Sequence, residues 1–155
     1  MKKHLLRFVV LSLILTLSLS VCGCSTIKSL ARDIPRITEF TGELLDLART
    51  ADADEMIERL DEFVHPKSNL NKDSIIEKFK SDEDLADIDL ETLFDNGYSV
   101  GNFSDPDLKL NDPDLDGNIY EVTVDLTAGE YTFIVTIDIL SDDSTIGVYD
   151  IDVSR

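Results

Sequence analysis

Asp112, Asp114 and Asp116 stand at alternate positions and lead directly into Gly117 and Asn118. Carboxylates at this spacing match the first half of a calcium-binding loop, where they face one ion and glycine allows the sharp turn. Asn118 would add a backbone carbonyl, and Ile119 stands at the hydrophobic eighth position. The second half departs from the pattern. Thr123 holds the twelfth place, usually a bidentate glutamate, and Pro113 removes a backbone donor inside the loop. Calcium is therefore the one cofactor the sequence suggests, on Asp112, Asp114, Asp116 and Asn118, with Glu121 or Asp107 as substitute ligands. The same residues also read as an acidic hairpin loop, with Asp116-Gly117 or Gly117-Asn118 supplying the positive-φ turn positions.

His65 is the second candidate. An imidazole titrates near neutrality and suits general-base work, here with Asp125 or Asp150 as an inward carboxylate, which would make the protein a hydrolase or isomerase. Its place before Pro66 also fits a helix C-terminus, where a donor side chain complements the last carbonyls. Tyr98, Tyr120, Tyr131 and Tyr149, with Phe103 and Phe133, read either as a cavity lining or as plain core. No glycine-rich phosphate loop, nucleophile elbow or paired-carboxylate motif is present. Lys and Arg number 14 against 32 Asp and Glu, a net charge of −18, which argues against a nucleic-acid binder.

The N-terminus carries chemistry of another kind. Lys2, Lys3 and Arg7 precede an apolar run from Phe8 to Val21, the order of a secretory leader and too short for a membrane span. Cys22-Gly23-Cys24 follows, and Gly23-Cys24 resembles the lipobox of bacterial lipoproteins. That resemblance implies a diacylglycerol thioether, with further acylation such as palmitate, on Cys24 and cleavage after Gly23; Cys22 is the poorer acceptor behind bulky Val21. Two or more acyl chains anchor a protein stably. The expected organisation is a signal peptide over 1–23, a lipidated linker over 24–36, broken by Pro35, and one domain over 37–155. The mature chain would then have no free thiol, only His65 as histidine, and a still more negative balance. Lys28, Arg32 and Arg36 would lie close to an anionic leaflet. The expected location is the extracytoplasmic face of the cell membrane, with the lipid bilayer as one partner and a protein or envelope component as another.

These features must be carried by a folded body. Ile37, Phe40, Leu44 and Leu47 recur at helical spacing. Asp52 and Glu55 start a second helix with the stripe Met56, Ile57, Leu60, Phe63 and Val64, ended by His65-Pro66. Asn71 caps a third, with Leu70 and Ile75 as a hydrophobic staple and Ile76 and Phe79 following. Leu85, Ile88, Leu90, Leu93 and Phe94 suggest one more short helix. From Tyr98 the period becomes 2. Tyr98–Phe103, extending toward Leu110, is followed by Tyr120–Leu126, a turn at Ala128-Gly129, Tyr131–Ile139, a turn at Asp142-Asp143-Ser144, and Ile146–Val153. The fold class is α+β, with N-terminal helices packed on a curved antiparallel sheet of three to four strands.

With helices ending near Phe63-Val64-His65-Pro66 and long strands closing at Gly147-Val148-Tyr149, the chain resembles the small cystatin-like or NTF2-like lipoproteins of Gram-positive bacteria. That resemblance implies a cone of sheet and helices able to hold a small ligand, in a group most of whose lipoprotein members have no known reaction. The expected function is a membrane-anchored, non-enzymatic binding module.

Overall fold

The computed structural model describes residues 28–51, 55, 59, 61–81, 85, 88–89, 97–109 and 115–155. The chain divides into two units, Met1–Pro35 and Arg36–Arg155. In the first, residues 28–35 are helical, where the sequence suggests a linker, and Arg32 Nε donates to Asp33 Oδ1 at 2.7 Å. The leader with Cys22 and Cys24 lies outside the described residues. No helix among the described residues is long and apolar enough to cross a membrane.

The second unit opens with α1, residues 36–50. Its buried stripe is Ile37, Phe40, Leu44 and Leu47, as the helical period requires. Thr41 shares that buried face and satisfies its hydroxyl on the Ile37 carbonyl at 2.8 Å. Gly42 faces open space, with nothing within 4 Å of an added Cβ. Gly42→Ala is therefore expected to stabilise the fold by about 0.5–1 kcal/mol through unfolded-state entropy and helix propensity. A rise in the urea midpoint with unchanged slope would register it.

The described residues of the next helix, α2, are Glu55, Arg59 and 61–63. Arg59 links Glu55 and Glu62 on its surface, and buried Phe63 meets the Phe40 ring at 5.7 Å between centroids. Val64 is not helical: it leaves α2 to make a parallel bridge with Val148. Met56, Ile57 and Leu60 lie outside the described residues. The third helix, α3 (Lys72–Ser81), starts at a reciprocal cap. Asn71 Oδ1 accepts the Ser74 N–H and Ser74 Oγ accepts the Asn71 N–H, both at 2.9 Å. Leu85 sits in a turn closed by the Ile88 N–H at 3.0 Å; the rest of the short helix its spacing suggests, with Leu90, Leu93 and Phe94, lies outside the described residues.

An open antiparallel sheet of five strands follows, β1 (Tyr98–Phe103), β2 (Asp107–Leu108), β3 (Asn118–Ala128), β4 (Tyr131–Ser141) and β5 (Ile146–Ser154). The order is β1-β3-β4-β5, with β2 also on β3. Five strands replace the expected three to four because the first is cut in two. Tyr98 pairs with Ala128 and Asp107 with Glu121, so β1 and β2 lie end to end along one edge of β3. Pro106 lacks the N–H that a continuous ladder would use there, and an edge tolerates the break. The Ser104 N–H to Thr123 O (2.8 Å) and the Thr123 N–H to Ser104 Oγ (2.9 Å) stitch the gap.

The β3–β4 hairpin turns at Gly129-Glu130, with Gly129 at φ 59°, the left-handed geometry that a two-residue loop demands at its first position. Register sorts the side chains. Tyr120, Val122 and Val124 on β3 and Phe133, Ile137 and Ile139 on β4 are buried on one face. On the other, Asp125, Thr127, Thr132 and Ile134 are exposed.

Candidate functional site

Charged and polar groups converge where β4 turns into β5. Asp142 heads this turn, receiving the Ser144 N–H (3.0 Å) and Thr145 N–H (2.7 Å) on Oδ1, while its own N–H reaches the Thr145 carbonyl at 2.9 Å. An aspartate at the head of a turn satisfies backbone donors in this way without needing anything above it. Here something lies above it. The opposite oxygen, Oδ2, is 3.0 Å from Lys67 Nζ and 3.5 Å from His65 Nε2. Arg36, at the start of α1, adds a guanidinium that donates to Ser141 Oγ at 3.2 Å and to the Asp142 carbonyl at 3.1 Å. Lys67 Nζ also donates to the Asp116 carbonyl at 3.1 Å, tying in the run that enters β3.

Burial makes this cluster tight. His65 is 1 % exposed, Ser141 is fully buried and Asp142 nearly so. Two glycines permit the approach. A Cβ on Gly147 would lie 2.7 Å from His65 N and 2.8 Å from its Cα, and one on Gly117 would meet the Ser141 carbonyl at 2.8 Å. Gly117, at φ 152°, is thus the residue that lets the entry to β3 lie against the Ser141–Asp142 turn.

The Lys67 ammonium, followed by the Thr145 and Ser144 backbone donors, holds the Asp142 carboxyl well below its ordinary range. Burial pushes His65 below its ordinary value; the Asp142 charge opposes this and the Lys67 charge adds to it. The imidazole is therefore neutral at pH 7. Its Nδ1 accepts the Lys67 N–H at 3.1 Å, so the proton resides on Nε2. The one lone pair a neutral ring could use as a base is already engaged.

The carboxylate that meets His65 is Asp142, and the expected partners are elsewhere. Asp125 is exposed on the open sheet face, and Asp150 forms an ion pair with Lys78. Of the calcium set, Asp112 and Asp114 lie outside the described residues. Asp116 is exposed, and Asn118 opens β3 opposite Ser141. Among the described residues, no group of three or more His, Cys, Asp or Glu is arranged to hold a metal ion. Tyr120 and Phe133 are core, fully buried, while Tyr131 stacks on Phe133 and carries the Arg155 guanidinium over its ring at 4.7 Å. Tyr98 is half-buried, with its hydroxyl on the Ala51 carbonyl at 3.3 Å; Phe103 and Tyr149 are half-buried as well. Of the three basic residues expected near a leaflet, Arg32 and Arg36 have partners within the protein.

A second charged feature crosses the opposite sheet face, between buried Ile119 and Leu140 and exposed Asp125 and Ile134. Asp107, Glu121, Asp138 and Asp150 are consecutive register partners across β2, β3, β4 and β5. Like charges opposed in this way repel. Lys109 relieves part of the row, with Nζ 2.8 Å from Glu121 Oε2 and 2.7 Å from Asp138 Oδ1, and these hydrogen bonds raise its own pKa. Lys78 from α3 closes the row at Asp150 and also donates to the Ile151 carbonyl at 2.9 Å. Asp125 and Asp152 add exposed carboxylates to the same face. Periodicity identifies each of these as an outward residue, but only the register shows that four fall in one line.

Comparison of the chain with protein families, with curated proteins and with solved structures gives no significant match.

Proposed function

We propose that this protein is a lipid-anchored, extracytoplasmic binding module that takes a cationic polypeptide partner on its open sheet face. The observation that carries the partner reading is the in-register row of Asp107, Glu121, Asp138 and Asp150, flanked by Asp125 and Asp152 and balanced among the described residues by Lys109 and Lys78. Complementary charge of this kind raises encounter rates and suppresses wrong partners. The anchor rests on the leader, Gly23 and Cys24. The order of helices followed by an antiparallel meander supports the cystatin-like or NTF2-like resemblance, and a shared fold carries shape and not chemistry.

A lysine-rich peptide is the direct probe. Asp125→Asn with Asp152→Asn is expected to weaken its binding about tenfold at low salt, whereas Glu39→Gln with Glu43→Gln, on the exposed side of α1, should leave it nearly unchanged. Equal losses from both pairs would mean bulk charge and would sink the face as a site. For the anchor, mass spectrometry of the membrane fraction should find an acylated Cys24 at the N-terminus, and Cys24→Ser should release the protein into the medium.

A further inference from the structure

We infer that residues 65–70 form an acid-released strap on β5, latched by the His65 imidazole and opened when Nδ1 takes a proton. The strap is held by a short series of bonds. The His65 N–H donates to the Val148 carbonyl at 2.9 Å, and Ser68 Oγ donates to the Tyr149 carbonyl at 2.6 Å. The Ser68 N–H turns back to the His65 carbonyl at 2.8 Å, and the Leu70 N–H rests on Ser68 Oγ at 2.9 Å. At the centre the Lys67 N–H points at Nδ1. A protonated ring carries a hydrogen on both nitrogens, so two donors would then face each other at 3.1 Å and this bond is lost.

Among the described residues Asp142 favours the proton, and burial together with the Lys67 charge outweighs it. Nε2 is buried without a hydrogen-bond partner, 3.5 Å from Asp142 Oδ2. The groups that face the site are Asp142 from the β4–β5 turn, Lys67 from the strap itself, Arg36 from α1 and the Asp116 carbonyl from the run before β3. The Asp142 carboxylate already serves Lys67 on Oδ2, with its other oxygen committed to Ser144 and Thr145, while Arg36 lies against the Asp142 backbone carbonyl. A second positive charge on that carboxylate would be buried at 1 % exposure. The proton is accommodated only if the ring leaves, and the ring cannot leave without the strap. The departure uncovers the Val148 and Tyr149 carbonyls on the edge of β5.

The direction in pH follows from linkage. A histidine held below its ordinary 6.5 contributes stability that is complete above that value and is lost as pH falls through its folded pKa. Asp142, held below its ordinary 3.8, contributes stability that is lost only in a lower window. Measurements near pH 5 therefore isolate the histidine.

Amide hydrogen exchange, corrected for intrinsic rates, tests the strap. Between pH 7.5 and pH 5 the amides of His65, Lys67, Ser68 and Leu70 should lose protection by up to about thirtyfold, the limit set by 1.5 pH units of linkage, while β3 and β4 amides keep theirs. His65→Asn retains an acceptor for the N–H two residues on and cannot titrate, so its strap should stay protected at both values. Equal protection of the wild-type strap at the two pH values would overturn the inference, as would acid opening that persists in His65→Asn. Should that variant fail to fold, an NMR titration of the wild-type imidazole decides. Its midpoint should coincide with the loss of strap protection, and a ring that titrates with the strap still protected would refute the latch.

Discussion

Phe133→Ala is expected to lower stability by about 4 kcal/mol, a large fraction of what a domain of this size possesses. Phe133 is fully buried on β4 and forms a cluster with Leu85 and Ala128, against which Ile88, Tyr98, Leu126, Tyr131 and Val153 pack. Truncation removes the ring's transfer free energy and leaves a cavity between elements that cannot collapse together. β3 and β4 are fixed by an uninterrupted register from Asn118 to Ala128, and Leu85 comes from outside the sheet. The stacked Tyr131 ring, 6.2 Å away, would lose its partner as well. Urea unfolding should show a much lower midpoint with an unchanged slope. Phe133→Leu, which refills most of the volume, should cost less than about 2 kcal/mol. A loss below about 1.5 kcal/mol in Phe133→Ala would mean that this cluster is not a cooperative part of the core.

Gly147→Ala comes next, with an expected loss of about 3 kcal/mol. The added methyl would stand 2.7 Å from His65 N and 2.8 Å from His65 Cα, and these are backbone atoms with no rotamer by which to yield. Either β5 moves away from β4, breaking the Leu140–Gly147 and Ile139–Val148 pairings, or residues 64–66 lift from the edge. The second route is the cheaper, because it gives up only the Val64 bridge and the few bonds of residues 65–70. The variant should therefore expose the strap at neutral pH and lose most of the stability change between pH 7.5 and pH 5, since an imidazole already in water has its ordinary affinity for a proton. Gly42→Ala, whose new methyl meets nothing, is the matched control and should move stability in the opposite direction. A Gly147→Ala protein as stable as the wild type would show that the close approach of His65 to β5 is not maintained in solution.

Elements built from nearest neighbours along the chain were legible from residue types. The face of α1 follows from Ile37, Phe40, Leu44 and Leu47, the start of α3 from Asn71, and the β3–β4 hairpin from alternation interrupted at Gly129. Each depends on contacts four residues apart or fewer, or on a two-residue turn, so local spacing contains the whole cause. The cut at Pro106 was legible in principle too, since a missing N–H is a property of the residue.

The candidate site is of another kind. Asp142-Asp143-Ser144 declares a turn and nothing more, because an aspartate that caps a turn has the same local signature whether or not a histidine lies over it. Arg36 and Ser141 are 105 positions apart, and Lys67 and Asp116 are 49 apart; no period connects them. His65 is visible as a titratable group, yet the sequence offers Asp125 or Asp150 as its partner, which alternation places on the sheet without saying what covers which end. Packing residues 64–68 against β5, through the space that Gly147 leaves, is what chose Asp142. Sequence by itself therefore determined the face of α1, the start of α3, the long strands, the net negative charge and the lipobox-like leader. The tertiary structure decided which carboxylate the buried histidine faces and that the acidic residues align across the strands, because register and close approach are set by contacts between segments remote in the chain.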